Sequence, residues 1–176
     1  EQFGFDAAIV FSDIMIPLEP MGIDFEYKPG VGPIIHNPIK SRADVEKLKD
    51  LDLGKDLQYT GESLGILERA LNVPCLGFVG ATFTLASYML EGGPSKSYIQ
   101  LKSFMYTQTE AWHMLMDKLA RSMADYLLFQ VESGAMAVQI FDSWVGILNV
   151  EDYREYVRPH MERMIANIKA KTDVPV

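Results

Sequence analysis

The stretch Ala7-Ala8-Ile9-Val10-Phe11-Ser12-Asp13-Ile14 decides the fold. An apolar run that ends abruptly in Ser-Asp has the pattern of a strand buried on both faces, the kind found in parallel sheets. A residue leaving such a strand at its carboxyl end stands where α/β barrels assemble their active sites. Asp13 is therefore a functional candidate on position alone; the alternative is a structural carboxylate that caps a loop or helix. Val138-Gln139-Ile140-Phe141-Asp142-Ser143 repeats the arrangement and puts Ser143 at the end of a second strand, on the same rim as Asp13. Asp142 reads as a loop or capping acid.

Working outward, helix and strand signals alternate. Ser41-Arg42-Ala43-Asp44 resembles an N-cap followed by an acid, with Val45, Leu48 and Leu51 at helical spacing. Gly61 to Leu71 is a second helix, with Leu64, Leu67 and Leu71 on one face. Val73 to Val79 is apolar and ends at Gly80, a buried strand. Thr84 to Leu90 is helical and stops at Gly92-Gly93-Pro94. The longest helix runs from about Thr109 to Glu132, where Trp112, Leu115, Met116, Leu119, Met123 and Leu127 form one apolar stripe, and Gly134 follows at the C′ position. Ala135 to Phe141 is the next strand. Asn149 caps a helix from Val150 to about Ala170, and Val174-Pro175-Val176 begins a further strand.

Strand, helix, strand, helix, strand is the signature of a parallel sheet with right-handed crossovers. Residues 14 to 40 break the rhythm and read as a long loop with a short hairpin around Phe25 to Lys28. Three complete strands and the start of a fourth cannot close a barrel, which takes eight strands and about 250 residues. The expected architecture is one domain over residues 1–176, a partial (β/α)8 TIM barrel belonging to a larger chain.

Composition narrows the function classes. Hydrophobic residues make up 48% and charged residues 23%, a globular balance. No apolar run reaches the ~20 residues that span a bilayer, and Glu1-Gln2-Phe3-Gly4 lacks the basic and apolar regions of a signal peptide. The net charge of −8 argues against nucleic acid as a partner. Cys75 is the single cysteine, which excludes an intrachain disulfide and multi-cysteine zinc sites and favours a reducing compartment. His36, His113 and His160 have no mutual spacing that suggests a metal site, and Gly77 to Gly80 is no dinucleotide fingerprint.

Five motifs in order then carry a resemblance: Phe11-Ser12-Asp13-Ile14; Gly30-Val31-Gly32-Pro33; Gly77-Phe78-Val79-Gly80-Ala81-Thr82-Phe83-Thr84-Leu85; Tyr88-Met89-Leu90-Glu91-Gly92-Gly93; and Gln139-Ile140-Phe141-Asp142-Ser143-Trp144. Together they closely resemble the uroporphyrinogen decarboxylase family over nearly the whole chain. The resemblance implies a (β/α)8 barrel, usually a homodimer, that needs no metal or cofactor. It implies removal of carbon dioxide from the four acetate side chains of uroporphyrinogen III to give coproporphyrinogen III. Asp13 would take the central role, accepting hydrogen bonds from pyrrole N–H groups. Tyr88 and Ser143 match substrate-contacting positions, and Phe78 and Phe141 match apolar wall positions.

Family members carry arginines in a segment before the point where this chain starts and a substrate-contacting histidine after the point where it ends. Residues 1–176 alone are therefore expected to be inactive and poorly stable. Thr82 stands where proline is common, a change expected to alter the loop slightly. Two alternatives remain at this point: a zinc- or corrinoid-type methyltransferase of the same superfamily, and a non-catalytic tetrapyrrole-binding protein. The cytoplasm is the expected compartment, with a plastid stroma equally compatible.

Overall fold

A computed structural model describes residues 4–176; Glu1-Gln2-Phe3, read above for a leader sequence, lie outside the described residues. In chain order the elements are β1 (Ala8–Ile9), β2 (Phe25–Lys28), β3 (Gly32–Ile35), α1 (Arg42–Glu46), α2 (Leu53–Asp56), α3 (Gln58–Ala70), β4 (Cys75–Gly80), α4 (Thr82–Glu91), α5 (Ile99–Thr107), α6 (Thr109–Glu132), β5 (Ala137–Phe141), α7 (Val150–Asp152) and α8 (Arg158–Lys169). Strands β1, β4 and β5 form a parallel sheet with β4 in the middle, and β2 and β3 form an antiparallel hairpin. The sheet with its crossover helices is an arc of a β/α barrel. Its expected fourth strand is foreshadowed by one bond, Val138 N–H to the Pro175 carbonyl at 2.9 Å.

Helices cover one face of this arc. The α6 stripe of Trp112, Leu115, Met116, Leu119, Met123 and Leu127 is fully buried, and α6 lies against both β4 and β5. Leu64 of α3 and Met164 and Ile168 of α8 complete the same core. Helix α6 ends where the sequence indicates: Gly134 follows Ser133 with φ +115°, and a Cβ there would stand 3.0 Å from the Cβ of Glu68.

The opposite face is open. Register places Ile9, Leu76 and Ala137 on it, then Phe78 with Gln139, then Gly80 with Phe141. This corrects the reading of the opening run as a strand buried on both faces. Ile9 is 44% exposed and Phe11 86% exposed, because helices cover only the other side. The strand is also short, with only Ala8 and Ile9 paired to β4.

What replaces the missing part of β1 is a side chain. In a parallel ladder, alternate residues of a central strand bond to the left and right neighbours. The Cys75 carbonyl serves β5, so Phe78, an odd number of residues away, turns its backbone toward β1. Beyond Ile9 that partner is gone. The Gln130 carboxamide of α6 takes both groups instead: its Oε1 accepts from Phe78 N–H at 2.9 Å and its Nε2 donates to the Phe78 carbonyl at 3.0 Å. Gly77 makes room, since a Cβ there would sit 2.8 Å from Gln130 Oε1.

Other departures have equally local causes. The expected helix through Leu51 stops at Glu46, because the following backbone is diverted into tertiary bonds: Lys49 N–H to the Met21 carbonyl, and Lys118 Nζ to the Leu48 carbonyl. Helix α5 carried no sequence signal. It begins at Tyr98 in the left-handed region (φ 50°), with Glu91 Oε1 accepting from Leu101 N–H. The long C-terminal helix starts as expected, with Asn149 Oδ1 accepting from Asp152 N–H at 2.7 Å. It then widens into a π-helical stretch, Tyr153–Val157, before α8. Trp112 Nε1 donates to the Tyr156 carbonyl inside that stretch at 2.9 Å.

His113 and His160, 47 residues apart, meet between α6 and α8 at 2.8 Å (Nδ1 to Nε2). His160 Nδ1 lies 2.9 Å from Asp117 Oδ1. Arg163 closes the cluster on Asp117.

Two predictions follow from this packing. Replacing Gln130 by Leu strands the Phe78 N–H and carbonyl in a buried site and should cost about 1–3 kcal/mol for each group left unpaired; a denaturant midpoint unchanged from wild type would contradict the clamp. Burial pushes the His160 imidazole below its ordinary value, outweighing the opposing pull of Asp117. The unfolded chain then takes the proton first, so stability is full above about pH 6.5 and falls as pH drops below it. In His160→Gln, unfolding midpoints measured from pH 8 down to 5 should decline less steeply than in wild type.

Candidate active site

Strand ends build the site. After Ile9 the chain leaves the sheet and carries Phe11, Ser12 and Asp13 across the open face. From β4 comes Phe78, from α4 Tyr88, from the end of β5 Phe141, and two residues on, Ser143. All of these line one cleft of about 330 Å³, together with Ile9, Ile14, Met15 and Pro33. The five residues singled out from sequence — Asp13, Phe78, Tyr88, Phe141 and Ser143 — are thus brought together at the carboxyl ends of the strands, with Asp13 and Ser143 on one rim.

Its floor is aromatic. Phe78 stacks on Phe11 at 6.4 Å between ring centroids and meets Phe141 edge-on at 5.6 Å. Tyr88 packs edge-on against Trp144 at 6.1 Å, and Tyr98 supports Trp144 from behind at 6.4 Å. The Asp13 carboxylate is oriented by its own turn, with Oδ1 accepting Met15 N–H at 2.8 Å. Among the described residues lining the cleft, Asp13 is the one charged group and none is basic. A flat apolar molecule with N–H donors or a developing positive charge at its centre suits such a surface.

The loop bearing Ser143 is fixed by a cap supplied from outside its helix. Ala81, at the N-cap of α4, has no side chain to offer. Asp142 fills the role: its carboxylate accepts the Thr84 hydroxyl at 2.8 Å and the Thr84 N–H, while Thr84 Oγ1 accepts Trp144 N–H at 3.2 Å. Ala81 N–H also bonds the Phe141 carbonyl at 2.8 Å. Asp142 is therefore a capping acid in fact, turned away from the cleft. Thr82 is not in a loop but is the first residue of α4, a position that proline also tolerates; its hydroxyl donates to Met161 Sδ at 3.3 Å.

Tyr27 escaped the sequence reading. Period-two alternation puts it on one side of β2 with Phe25, but only the docking of the hairpin brings it near Asp13, where burial and the Asp13 charge raise the pKa of its phenol. A larger groove of about 520 Å³ runs between Asp50, Arg121, Asp125, Glu132 and Lys171. It lies near the amino ends of the strands, where Glu132 closes α6 before β5, and its mixed charges converge on no centre. The strand-end cleft is the better site despite its smaller volume. Among the described residues no group of three His, Cys, Asp or Glu side chains is placed to hold a metal ion.

The family model for uroporphyrinogen decarboxylase (URO-D) matches residues 1–176. The chain belongs to the uroporphyrinogen decarboxylase family. Uroporphyrinogen decarboxylases of Staphylococcus aureus strains USA300 / TCH1516 and JH9 are each 55% identical to it over 172 residues, 97% of this chain and 50% of theirs. The chain spans about half the length of the curated relatives it matches. A methyltransferase from Methanosarcina mazei shares the fold, with a TM-score of 0.72 at 17% identity over 94% of this chain and 49% of its own. At that identity the likeness speaks to the partial TIM-barrel architecture alone.

The Asp142 cap of this uroporphyrinogen decarboxylase family member has a pH signature. Burial raises the Asp142 pKa more than the Thr84 hydrogen bonds lower it. A carboxyl whose folded pKa is raised stabilises the fold fully below its unfolded value, about 3.9, and that contribution is lost as pH rises through the folded value. Asp142→Asn keeps an acceptor for Thr84 and removes the charge. Its unfolding midpoint should fall less than that of wild type as pH rises from about 4 to 6; parallel curves would disprove the assignment.

Proposed function

We propose that the full-length enzyme decarboxylates the four acetate side chains of uroporphyrinogen III, giving coproporphyrinogen III, with Asp13 as its central catalytic residue. The observation that carries this reading is the single carboxylate held over an aromatic floor at the strand ends, in a chain of this family.

The chemistry follows from the substrate. An acetate on a pyrrole loses carbon dioxide only if the departing electron pair has a sink. Protonation of the adjacent ring carbon makes a cationic pyrrole that accepts the pair. Asp13 accepts the pyrrole N–H groups and stabilises that cation, and a fixed charge in a water-poor cleft is typically the largest catalytic contribution. The floor of Phe11, Phe78 and Phe141 receives the apolar faces of the macrocycle. The Tyr88 phenol and the Ser143 hydroxyl hold substrate carboxylates. The proton donor is a separate group.

An octa-anionic substrate also needs cations. The cleft lining offers none, and the chain carries a net charge of −8. On this reading the basic groups that meet the peripheral carboxylates come from the remainder of the full-length enzyme, which acts as a homodimer in the cytoplasm.

Asp13→Asn tests the role. The two side chains are nearly isosteric and Asn retains an acceptor for Met15 N–H, so the fold should persist. Coproporphyrinogen production by the full-length variant should fall about 10²–10³-fold, the loss that follows removal of one preorganised group. Near-normal production by a folded variant would refute the role.

A further inference from the structure

Helix α4 holds the turn after β5 at three points around Ser143. The Phe141 carbonyl accepts Ala81 N–H at 2.8 Å. The Asp142 carboxylate accepts the Thr84 hydroxyl at 2.8 Å, and Thr84 Oγ1 accepts Trp144 N–H at 3.2 Å. The last two contacts converge on one oxygen. A hydroxyl has one proton to give and lone pairs to receive, so the fully buried Thr84 makes both bonds at once. Strand β5 ends at Phe141, so the sheet does not hold this turn. Residues 141, 142 and 144 are tied to α4, and Ser143 between them lines the cleft. The same helix carries Tyr88 four residues beyond Thr84, one turn along the same side. The Trp144 ring meets Tyr88 edge-on at 6.1 Å and is backed by Tyr98 at 6.4 Å.

We propose that Thr84 is a positioning residue for substrate binding: its hydroxyl, bonded to both Asp142 and Trp144, sets the spacing between Ser143 and Tyr88, the two hydroxyls that receive carboxylates of the tetrapyrrole. The inference rests on the binding roles proposed for those two side chains. The bond to Asp142 fixes the start of the turn. The bond to Trp144 N–H fixes its end and seats the indole against Tyr88. Removing the one oxygen releases both, so two groups on different elements lose their common reference. Valine has nearly the shape of threonine and can make neither bond; serine can make both. Asp13 is oriented separately, by Met15 N–H in its own turn. Thr84 therefore acts on how the substrate's carboxylates are held and not on the charge at the centre of the cleft.

The test uses the full-length enzyme. In Thr84→Val, KM for uroporphyrinogen should rise about 10-fold, the equivalent of one lost hydrogen bond to a charged group, with kcat changed by less than about threefold. Thr84→Ser should keep both constants near wild type. In a Ser143→Ala background Thr84→Val should raise KM by only about threefold, because one of the groups it places is gone. Should Thr84→Val fail to fold, the same substitution in Asp142→Asn, compared with Asp142→Asn alone, removes the buried charge and reads the same change in KM. An unchanged KM in folded Thr84→Val would overturn the inference, whatever its melting temperature, since Thr84 would then only stabilise the fold. A fall in kcat at constant KM would overturn it too, because the effect would lie at the reacting centre. So would a Thr84→Ser variant as impaired as Thr84→Val, or a full 10-fold rise persisting without the Ser143 hydroxyl. Wild-type enzyme that releases no carbon dioxide from uroporphyrinogen, or an Asp13→Asn variant with full activity, would sink the proposed function itself. Either is distinguishable from a neutral Thr84→Val in an enzyme that decarboxylates and depends on Asp13.

Discussion

The Gln130 carboxamide, bonded to both backbone groups of Phe78, is the contact on which the site depends. A central strand of a parallel sheet cannot leave its N–H and carbonyl unpaired in a buried place, because each such group costs about 1–3 kcal/mol. If β1 supplied those partners, Val10 to Asp13 would be held in the pleat of the sheet. Gln130 supplies them from α6 instead, through the space left by Gly77. The segment after Ile9 is then free to cross the open face. Phe11 comes to stack on Phe78, and Asp13 comes to the rim. One side chain from the longest helix thus converts a sheet partner into a wall of the cleft.

Similar substitutions explain which parts of the molecule were legible in the sequence. Elements that satisfy themselves could be read: α6, with its apolar stripe and its Gly134 terminus; the turn capped by Asn149; the hairpin at Phe25–Lys28. Asp13 and Ser143 could be placed because apolar runs ending in polar residues mark strand ends. Groups satisfied from a distance could not be read. Helix α4 is capped by Asp142 from the loop after β5, α5 by Glu91 from α4, and the π-helical stretch is met by Trp112 from α6. Local cap rules look within a few residues of a helix end, so α5 carried no signal at all. Tyr27 belongs to the same class. Its alternation within β2 is visible, but its nearness to Asp13 depends on how the hairpin folds over the strand ends. The exposure of Ile9 and Phe11 was misread for a related reason: an apolar run shows that a strand is apolar on both sides, not that both sides are covered.

The electrostatics of the cleft depend on that uncovered apolar surface. A carboxylate in water is well solvated and interacts weakly with a neighbouring charge, about 1 kcal/mol at 4 Å; the same pair near a protein surface is worth about 4 kcal/mol. Phe11, Phe78 and Phe141 line the cleft beside Asp13 with apolar surface, and Met15 N–H replaces part of its hydration with a fixed donor. That donor is neutral, so it orients the carboxylate without cancelling its charge. A lysine or arginine in the same place would orient it equally well and remove the field that a cationic intermediate needs. A surface with aromatic rings beneath, a neutral donor beside and a single uncompensated acid above therefore favours a ligand whose central ring system is neutral when it binds and positive when it reacts.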